Sequence, residues 1–274
     1  MNWDPYLDFD RRSLNLYMDP FRINGAELAG KERLDKLLVK KEIVQSRERA
    51  RAFIMEGKVT VDGRIIDKPG TRVPLGAELG LRGEDQPYVS RGGLKLEEAL
   101  RTFRIDPRGM VVIDVGASTG GFTDCVLQKG AQKVYAVDVG YGRLAWKLQK
   151  DPRVVSLERR NVRYLKREEI PEEADLILVD TSFISIEKFL PHLLGFLKRG
   201  GDLVSLIKPQ FEVGKGEVGK GGVVRDPALH QKVIERIFRF CQGLGLKADQ
   251  VIESPLLGPK GNKEFFIHLR KEAR

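Results

Sequence analysis

Short apolar runs alternate with amphipathic stretches along the carboxyl-terminal two-thirds of the chain. Helical periodicity predicts a helix that begins after Gly92 and Gly93, and further helices over 123–129, 143–150, 186–197 and 227–244. Strands separated by helices predict an α/β domain with a parallel sheet covered on both faces. Residues 210–226 follow neither period and are predicted to form a long loop. The apolar runs predict strands at 111–116, 133–140, 154–161, 174–180, 201–209, 249–255 and 263–270.

The preceding part of the chain has the pattern of a small α+β unit. Leucines at 34, 37 and 38 follow a helical period, and Ser46 can cap a second helix over 47–56 that Gly57 ends. Alternating residues on both sides of Asp62 and Gly63 predict a hairpin. The predicted organisation is a poorly ordered arm over 1–30, this unit over 31–85, a linker over 86–93 and the α/β domain over 94–274.

Composition restricts the class of protein further. The chain has 274 residues, 41% of them hydrophobic, and no apolar run has the length of a membrane span. Its two cysteines lie far apart and fit no metal spacing, so we expect a cytoplasmic protein without a metal. A net charge of +9 suits a nucleic-acid partner. Charge alone leaves open a basic protein with no such partner.

The stretch 111–124, VVIDVGASTGGFTD, predicts a strand, a glycine turn and a helix start, the unit by which Rossmann-like folds hold nucleotide-like ligands. Its glycine spacing differs from the motif that seats a pyrophosphate, and an acid ends the strand. Both features favour a ligand without phosphates, such as S-adenosylmethionine, although a tight strand–helix turn without a ligand is the alternative. Asp138, about 20 residues further on, suits a ribose-binding acid.

Two further polar residues follow predicted neighbouring strands. Asp180 ends the fourth strand and Lys208 ends the fifth, where ligands of α/β sheets bind. Taken singly, Asp180 could cap the next segment and Lys208 could be a surface lysine. Together they indicate a proton-transfer pair, in which Lys208 acts either as a base or as a group that orients a hydroxyl.

The amino-terminal unit resembles the S4 RNA-binding domain. The resemblance lies in R-L-D-K-L-L at 33–38, S-R-x-x-A at 46–50 and G-x-V-x-V-x-G at 57–63. It implies that the helices and the hairpin bind structured RNA, whereas a solvated basic face is the alternative. The residues predicted to contact RNA, one of them in the linker, are Arg33, Lys36, Arg47, Arg49, Lys58, Arg64 and Arg91.

The second domain resembles FtsJ-like ribose 2′-O-methyltransferases, which carry a Lys-Asp-Lys-Glu tetrad. Lys95 in SRGGLKLEEAL, Asp180 in LILVDTSFIS, Lys208 in LIKPQFEVGKG and Glu264 in GNKEFFIHL match its order. The resemblance implies that these four residues are catalytic. The S-adenosylmethionine contacts that it implies are Asp114, Gly116, Ser118, Gly120, Gly121, Phe122, Asp138 and Asn161.

The whole arrangement over 31–270 resembles the TlyA family. That resemblance implies methylation of a cytidine 2′-oxygen in ribosomal RNA, with the rRNA or a ribosomal subunit as partner and no obligate protein partner. The chain stops shortly after HLR, which favours the shorter branch of the family and large-subunit RNA. A non-catalytic RNA-binding protein with a vestigial cofactor fold is one alternative. A haemolysin is another, but it would need a membrane-active segment that we do not find in the sequence.

Overall fold

The computed structural model describes residues 30–44, 46–55, 57–81, 87–214 and 216–272. The chain divides into two compact units, residues 1–84 and residues 85–274. Apart from Gly30, the predicted amino-terminal arm lies outside the described residues.

Within its described residues, the first unit contains two helices and two small antiparallel sheets. One sheet pairs β1 with β4, and the other has β2 between β3 and β5. Both predicted helices and the predicted hairpin are present. β1, β4 and β5 were not predicted, because strands of three residues are too short to show an alternating pattern. The elements are β1 (Lys31–Arg33), α1 (Leu34–Lys40), α2 (Arg47–Met55), β2 (Val59–Val61), β3 (Arg64–Ile65), β4 (Arg72–Pro74) and β5 (Leu79–Leu81).

The second helix has the ends that its sequence predicts. The hydroxyl of Ser46 accepts a hydrogen bond from the backbone N–H of Arg49 at 3.2 Å, which caps the start of α2. Gly57, with φ of +68°, follows its end in the left-handed conformation that glycine tolerates. The apolar faces of both helices are buried in one core, whose members include Leu34, Leu37, Leu38, Ala50 and Ile54.

The second unit is built on a seven-stranded sheet with an apolar core on each face. The strand order is β11-β12-β10-β9-β6-β7-β8. Four 3₁₀ turns lie between the elements, at Val162–Tyr164, Ile186–Lys188, Leu194–Phe196 and Pro259–Gly261. The elements are α3 (Gly92–Phe103), β6 (Val111–Val115), α4 (Gly121–Gln128), β7 (Lys133–Asp138), α5 (Trp146–Gln149), β8 (Val154–Glu158), β9 (Ala174–Val179), α6 (Leu190–Leu193), β10 (Leu197–Ile207), α7 (Pro209–Glu212), α8 (Pro227–Gly243), β11 (Leu246–Glu253) and β12 (Phe265–Lys271).

The prediction of a wholly parallel sheet is wrong at one end. Strands β6 to β10 are parallel to one another, but β12 runs antiparallel between β10 and β11. No crossover helix separates β11 from β12, so the chain returns in the opposite direction after a short connection. This reversal places the residue before β12 at the same sheet edge as the residue after β10.

Three predicted helices also have different bounds. The predicted helix over 186–197 is interrupted, since two 3₁₀ turns flank the four residues of α6 and Leu197 already belongs to β10. The helix predicted over 143–150 shortens to α5. The helix predicted to begin after Gly93 includes both glycines, and Tyr88 fills the space that a larger residue at position 93 would need.

Candidate active site

The central pair of the site joins the ends of two neighbouring strands. Asp180 follows β9 directly and Lys208 follows β10. Lys208 Nζ lies 2.5 Å from Asp180 Oδ1 and donates a hydrogen bond to Ser182 Oγ at 3.1 Å. The structure therefore brings together the two side chains that strand topology placed at adjacent ends. It also adds Ser182, which sequence reasoning did not include although it lies two residues beyond the predicted acid.

A second, deeper ion pair lies at the same edge of the sheet. Lys95 Nζ on α3 lies 2.6 Å from Glu264 Oε2, and the glutamate side chain is fully buried. Ile207 pairs with Phe265 across the antiparallel strands β10 and β12. Lys208 and Glu264 are the next opposed residues along those strands, so both ion pairs belong to one end of the sheet. All four residues of the predicted tetrad are gathered there.

The glycine turn is fitted closely against the first pair. Gly116 has φ of +87°, and a Cβ built on it would lie 2.3 Å from the carbonyl oxygen of Asp180. The backbone N–H of Asp180 in turn donates to the carbonyl of Val115 at 2.9 Å. Only glycine fits this approach, because the neighbouring atom is backbone and cannot move aside. The backbone of the turn is thus in close contact with the backbone of the predicted catalytic acid, to which the preceding strand is hydrogen-bonded.

Asp114 supports the turn from inside. Its Oδ2 accepts hydrogen bonds from the backbone N–H of Thr123 at 3.0 Å and from the Thr123 hydroxyl at 2.7 Å. Burial raises the pKa of Asp114 to about 7, and the nearby Asp180 carboxylate acts in the same direction. Sequence reasoning placed this carboxylate against a cofactor. In the structure it is fully buried and joins β6 to α4, so a direct contact to a ligand stays a prediction.

Asp138 is the last residue of β7 and lies beside the glycine turn, with 12% of its side chain exposed. Its Oδ2 accepts from the backbone N–H of Ser118 at 2.8 Å and its Oδ1 accepts from that of Gly140 at 2.6 Å. Arg143 Nη1 lies 3.8 Å from the same carboxylate. A carboxylate can accept about four hydrogen bonds, so capacity remains for ligand hydroxyls. The glycine cradle and this acid fit a nucleoside ligand that carries no phosphate.

The other predicted cofactor residues have different settings. Gly120, with φ of +96°, is the residue before α4, and Gly121 is the first residue of that helix. Phe122 is buried and its ring packs 6.1 Å from that of Phe266. Asn161 caps the 3₁₀ turn after β8 by accepting from the next-but-one backbone N–H. Gly120 and Gly121 shape the turn itself, and contacts of any of the four to a cofactor stay predictions.

Two of the predicted RNA-binding residues share one buried partner. The Nε atoms of Arg33 and Arg47 each lie 3.0 Å from a different oxygen of Asp35, which is fully buried. Their guanidinium hydrogen bonds, that of Arg33 above all, lower the pKa of Asp35 to about 2. The arginine side chains keep 39% and 47% of their surface exposed. Each can therefore hold the aspartate and still present N–H donors to solvent.

The remaining basic residues have varied surroundings. Lys36 and Arg64 are exposed in the first unit, and Arg91 is exposed in the second. Arg49 and Lys58 both lie over the ring of Phe53, at 5.3 Å and 5.4 Å from its centroid. These cation–π contacts hold the two charges at the surface of the helix–hairpin unit. Contacts of these residues to RNA stay predictions.

Sequence reasoning missed an aromatic pair beside the first ion pair. Phe183 is 89% exposed and has φ of +67°, and its ring lies 4.8 Å from that of Phe211. A non-glycine residue in the left-handed region is strained and needs support from its surroundings. The position of Phe183 in DTSFIS, three residues after the predicted catalytic acid, is the signal that could have identified it.

The described residues contain neither a membrane-spanning helix nor a metal-binding cluster. Within the described ranges, no helix combines the length and apolarity needed to cross a membrane. The same part of the chain holds no group of three or more His, Cys, Asp or Glu side chains arranged to bind a metal.

Comparison with known proteins identifies the family of both units. A model of the FtsJ-like methyltransferase family matches residues 88–271, and a model of the S4 domain matches residues 32–79. The chain is 47% identical to the 16S/23S rRNA (cytidine-2′-O)-methyltransferase TlyA of Mycobacterium tuberculosis, over 89% of this chain and 92% of that protein. It is 34% identical to the 23S rRNA (cytidine-2′-O)-methyltransferase TlyA of Campylobacter jejuni, over 67% and 71% of the two chains. A solved structure named "Putative hemolysin from Streptococcus thermophilus" aligns with a TM-score of 0.70 at 45% identity, over 89% of each chain.

Proposed function

The chain belongs to the FtsJ-like methyltransferase family, in its TlyA group, and from that premise we propose that it methylates the ribose 2′-oxygen of a cytidine in ribosomal RNA. The observation that carries the proposal is the Lys208–Asp180 pair at 2.5 Å, next to the glycine turn. The pair lies at the carboxyl ends of central strands, where α/β enzymes bind their ligands.

The cofactor that we propose is S-adenosylmethionine, held by the glycine turn and Asp138. When bound, it supplies a methyl group on a positively charged sulfur. Asp138 has free acceptor capacity for ribose hydroxyls, and the close fit of Gly116 leaves the turn narrow and rigid. The spacing of Gly116, Gly120 and Gly121 differs from the G-x-G-x-x-G motif that seats a pyrophosphate, which supports a ligand without phosphate.

We assign the handling of the acceptor hydroxyl to Lys208. As the cationic partner of Asp180, it is a hydrogen-bond donor that can hold the 2′-oxygen in line with the methyl group. The O–C bond would form as the C–S bond breaks, and the hydroxyl proton would be released to water. Asp180 and Ser182 fix the position of its Nζ. Lys95 and Glu264 support this end of the sheet from the adjoining strand and helix. Positioning of the reacting groups supplies a large part of the rate in such a transfer.

The RNA partner is proposed to bind through the S4 unit. Arg33 and Arg47, held by Asp35, present preorganised donors, and Lys36 and Arg64 add exposed charge. Preorganised guanidinium groups lose little side-chain entropy when they bind phosphate. A net charge of +9 supports the same partner.

The test compares two lysine variants of the full-length protein. Lys208→Ala removes the proposed hydroxyl-holding group, and Lys198→Ala removes the lysine of a similar pair, 2.6 Å from Asp175, near the other end of β9 and β10. Tritiated methyl transfer to ribosomal RNA should fall at least ~10²-fold for Lys208→Ala, the effect of losing the correct placement of a reacting group. It should be unchanged for Lys198→Ala.

Calorimetric titration with S-adenosylmethionine completes the test. Lys208→Ala should retain binding, because the glycine turn and Asp138 are untouched. Near-normal turnover of this variant would refute the role of Lys208. A wild-type protein that binds no S-adenosylmethionine would indicate instead an RNA-binding protein with a vestigial cofactor fold.

We further propose large-subunit RNA as the acceptor and the cytoplasm as the place of reaction. Large-subunit RNA is the acceptor common to the names of both TlyA relatives. Methyl transfer is therefore measured on separated small and large subunits and on naked RNA of each, followed by mapping of the labelled nucleotide. Label confined to a cytidine of the large-subunit RNA supports the proposal, and label in small-subunit RNA contradicts the restriction.

A further inference from the structure

The proposed hydroxyl-holding lysine stands at the start of a very short helix. Lys208 immediately precedes α7, which spans only Pro209–Glu212. A single helical turn is too short to be stable by its own hydrogen bonds. The position of Lys208 therefore depends on what holds α7 against its neighbours, chiefly the loop of residues 181–186 that follows β9.

Three contacts join residues 208–212 to residues 180–186. At the first, Lys208 meets Asp180 and Ser182. At the second, the rings of Phe183 and Phe211 pack 4.8 Å apart. At the third, at the far end of the helix, Glu212 Oε1 accepts a hydrogen bond from the backbone N–H of Ile186 at 3.1 Å.

Glu212 is also tied to the long helix behind it. Its Oε2 accepts from Arg236 of α8 at 2.8 Å, and Arg236 Nε lies 3.2 Å from Glu187. The side chain of Glu212 is only 5% exposed. Burial raises its pKa above the ordinary range, while the hydrogen bonds of Ser185 and Ile186 oppose that rise. A carboxylate buried at such a cost stays in place only if its partners hold it.

We infer that Glu212 is a positioning residue for methyl transfer, which sets the place of Lys208 by fastening α7 to the 181–186 loop and to α8. The inference rests on the function proposed above. It explains why a strained φ persists at Phe183, because the loop is held at both of its ends. The polar contacts of Glu212 are with Ser185, Ile186 and Arg236 rather than with Lys208 or Asp180.

The variants separate the backbone contact from the charge. Glu212→Ala loses both contacts, whereas Glu212→Gln keeps an acceptor for the Ile186 N–H. Glu217→Ala is the matched control, because Glu217 likewise accepts from a backbone N–H, that of Gly214, and pairs with Lys232 of α8 at 2.8 Å. It removes a more exposed bridge to α8 without touching the 181–186 loop.

Two measurements are made on the full-length proteins. In steady-state methyl transfer to ribosomal RNA, Glu212→Ala should lower kcat by on the order of 10²-fold, the effect of displacing a reacting group by about 1 Å. KM for the RNA should stay unchanged, Glu212→Gln should recover most of kcat, and Glu217→Ala should match the wild type. In amide hydrogen exchange, Ile186 should be protected in the wild type and in Glu212→Gln and should exchange rapidly in Glu212→Ala.

The outcomes distinguish this inference from the function on which it rests. Equal kcat for wild type and Glu212→Ala, or an unprotected Ile186 amide in the wild type, overturns the positioning role alone. A loss of kcat in Glu212→Gln as large as in Glu212→Ala also overturns it, since the backbone contact would then not carry the effect. A wild type that methylates no RNA overturns the proposed function, whatever the exchange data show.

Discussion

The buried ion pair of Lys95 and Glu264 allows its effect on stability to be measured separately from its effect on methyl transfer. Lys95→Met removes the cation but keeps an apolar side chain of similar length at the same position of α3. The carboxylate of Glu264 would then be fully buried with no cation beside it. Glu264→Met produces the converse state, in which the lysine has lost its acceptor. The double variant replaces both charges by apolar groups of similar volume.

The magnitude follows from burial. Breaking a buried ion pair by removing one partner costs about 3–5 kcal/mol, whereas replacing both partners is close to neutral. Lys95 keeps 12% of its side chain exposed, so we take the lower end, about 3 kcal/mol. For a unit of 150–250 residues each kcal/mol shifts Tm by about 2–4 °C. Lys95→Met should therefore lower Tm by roughly 6–12 °C, and the double variant should recover most of that loss.

The assay is calorimetric unfolding of the full-length variants, with methyl transfer measured on the same samples. Lys129→Met is the control. Lys129 pairs at 3.0 Å with Glu97, which lies on α3 as Lys95 does, but the side chains of Lys129 and Glu97 are 33% and 41% exposed. Breaking such a surface pair should cost less than about 1 kcal/mol. Methyl transfer should be lost in both single variants and in the double variant, although the double variant is stable.

Two results would refute this reasoning. If Lys95→Met has the same Tm as Lys129→Met, the buried pair contributes no more to stability than the exposed pair does. If the stable double variant transfers methyl groups normally, the pair is structural and the tetrad assignment of these two residues is wrong.

Two pH-dependent predictions follow from buried carboxyl groups. Because the pKa of Asp35 is lowered to about 2, its contribution to stability is present above the ordinary value near 4 and is lost as pH falls towards 2. In urea unfolding, the deficit of Asp35→Asn should thus be large at pH 6 and small at pH 2.5, and an equal deficit at both would contradict the pKa. Because burial raises the pKa of Asp114 to about 7, its folded state loses stability as pH rises from about 4 to 7. The free energy of unfolding of Asp114→Asn should therefore rise relative to that of the wild type between pH 4.5 and 7.5. A difference that stays constant over this range would contradict the raised pKa.

Part of the site could be predicted because it follows from the sheet. Asp180 and Lys208 end apolar runs that form neighbouring parallel strands, and such ends must meet at one edge. The glycine turn could also be predicted, because Gly116 and Gly120 adopt the positive φ that glycine tolerates. These features are local, and the topology that joins them needs only the order of strands and helices.

The rest depends on contacts that no local pattern encodes. Phe265–Lys271 contains a buried run over 266–269, and burial on both faces produces such a run in either direction, so its antiparallel course was missed. Lys95 and Glu264 lie far apart in the chain, and only the family resemblance brought them together. Glu212 gave no signal, because a buried glutamate in an irregular segment looks the same in sequence as an exposed one.

The two sides of the site are held in place by different means. On one side, Gly116 and Asp180 are joined backbone to backbone, through the hydrogen bond to Val115 and an approach too close for any Cβ. These backbone contacts make that side rigid, and it contains both the glycine turn and Asp180. On the other side, Lys208 begins a single helical turn whose position depends on the side chain of Glu212. Variation in catalytic geometry is therefore expected on the lysine side, where one buried carboxylate decides how precisely the acceptor hydroxyl is held.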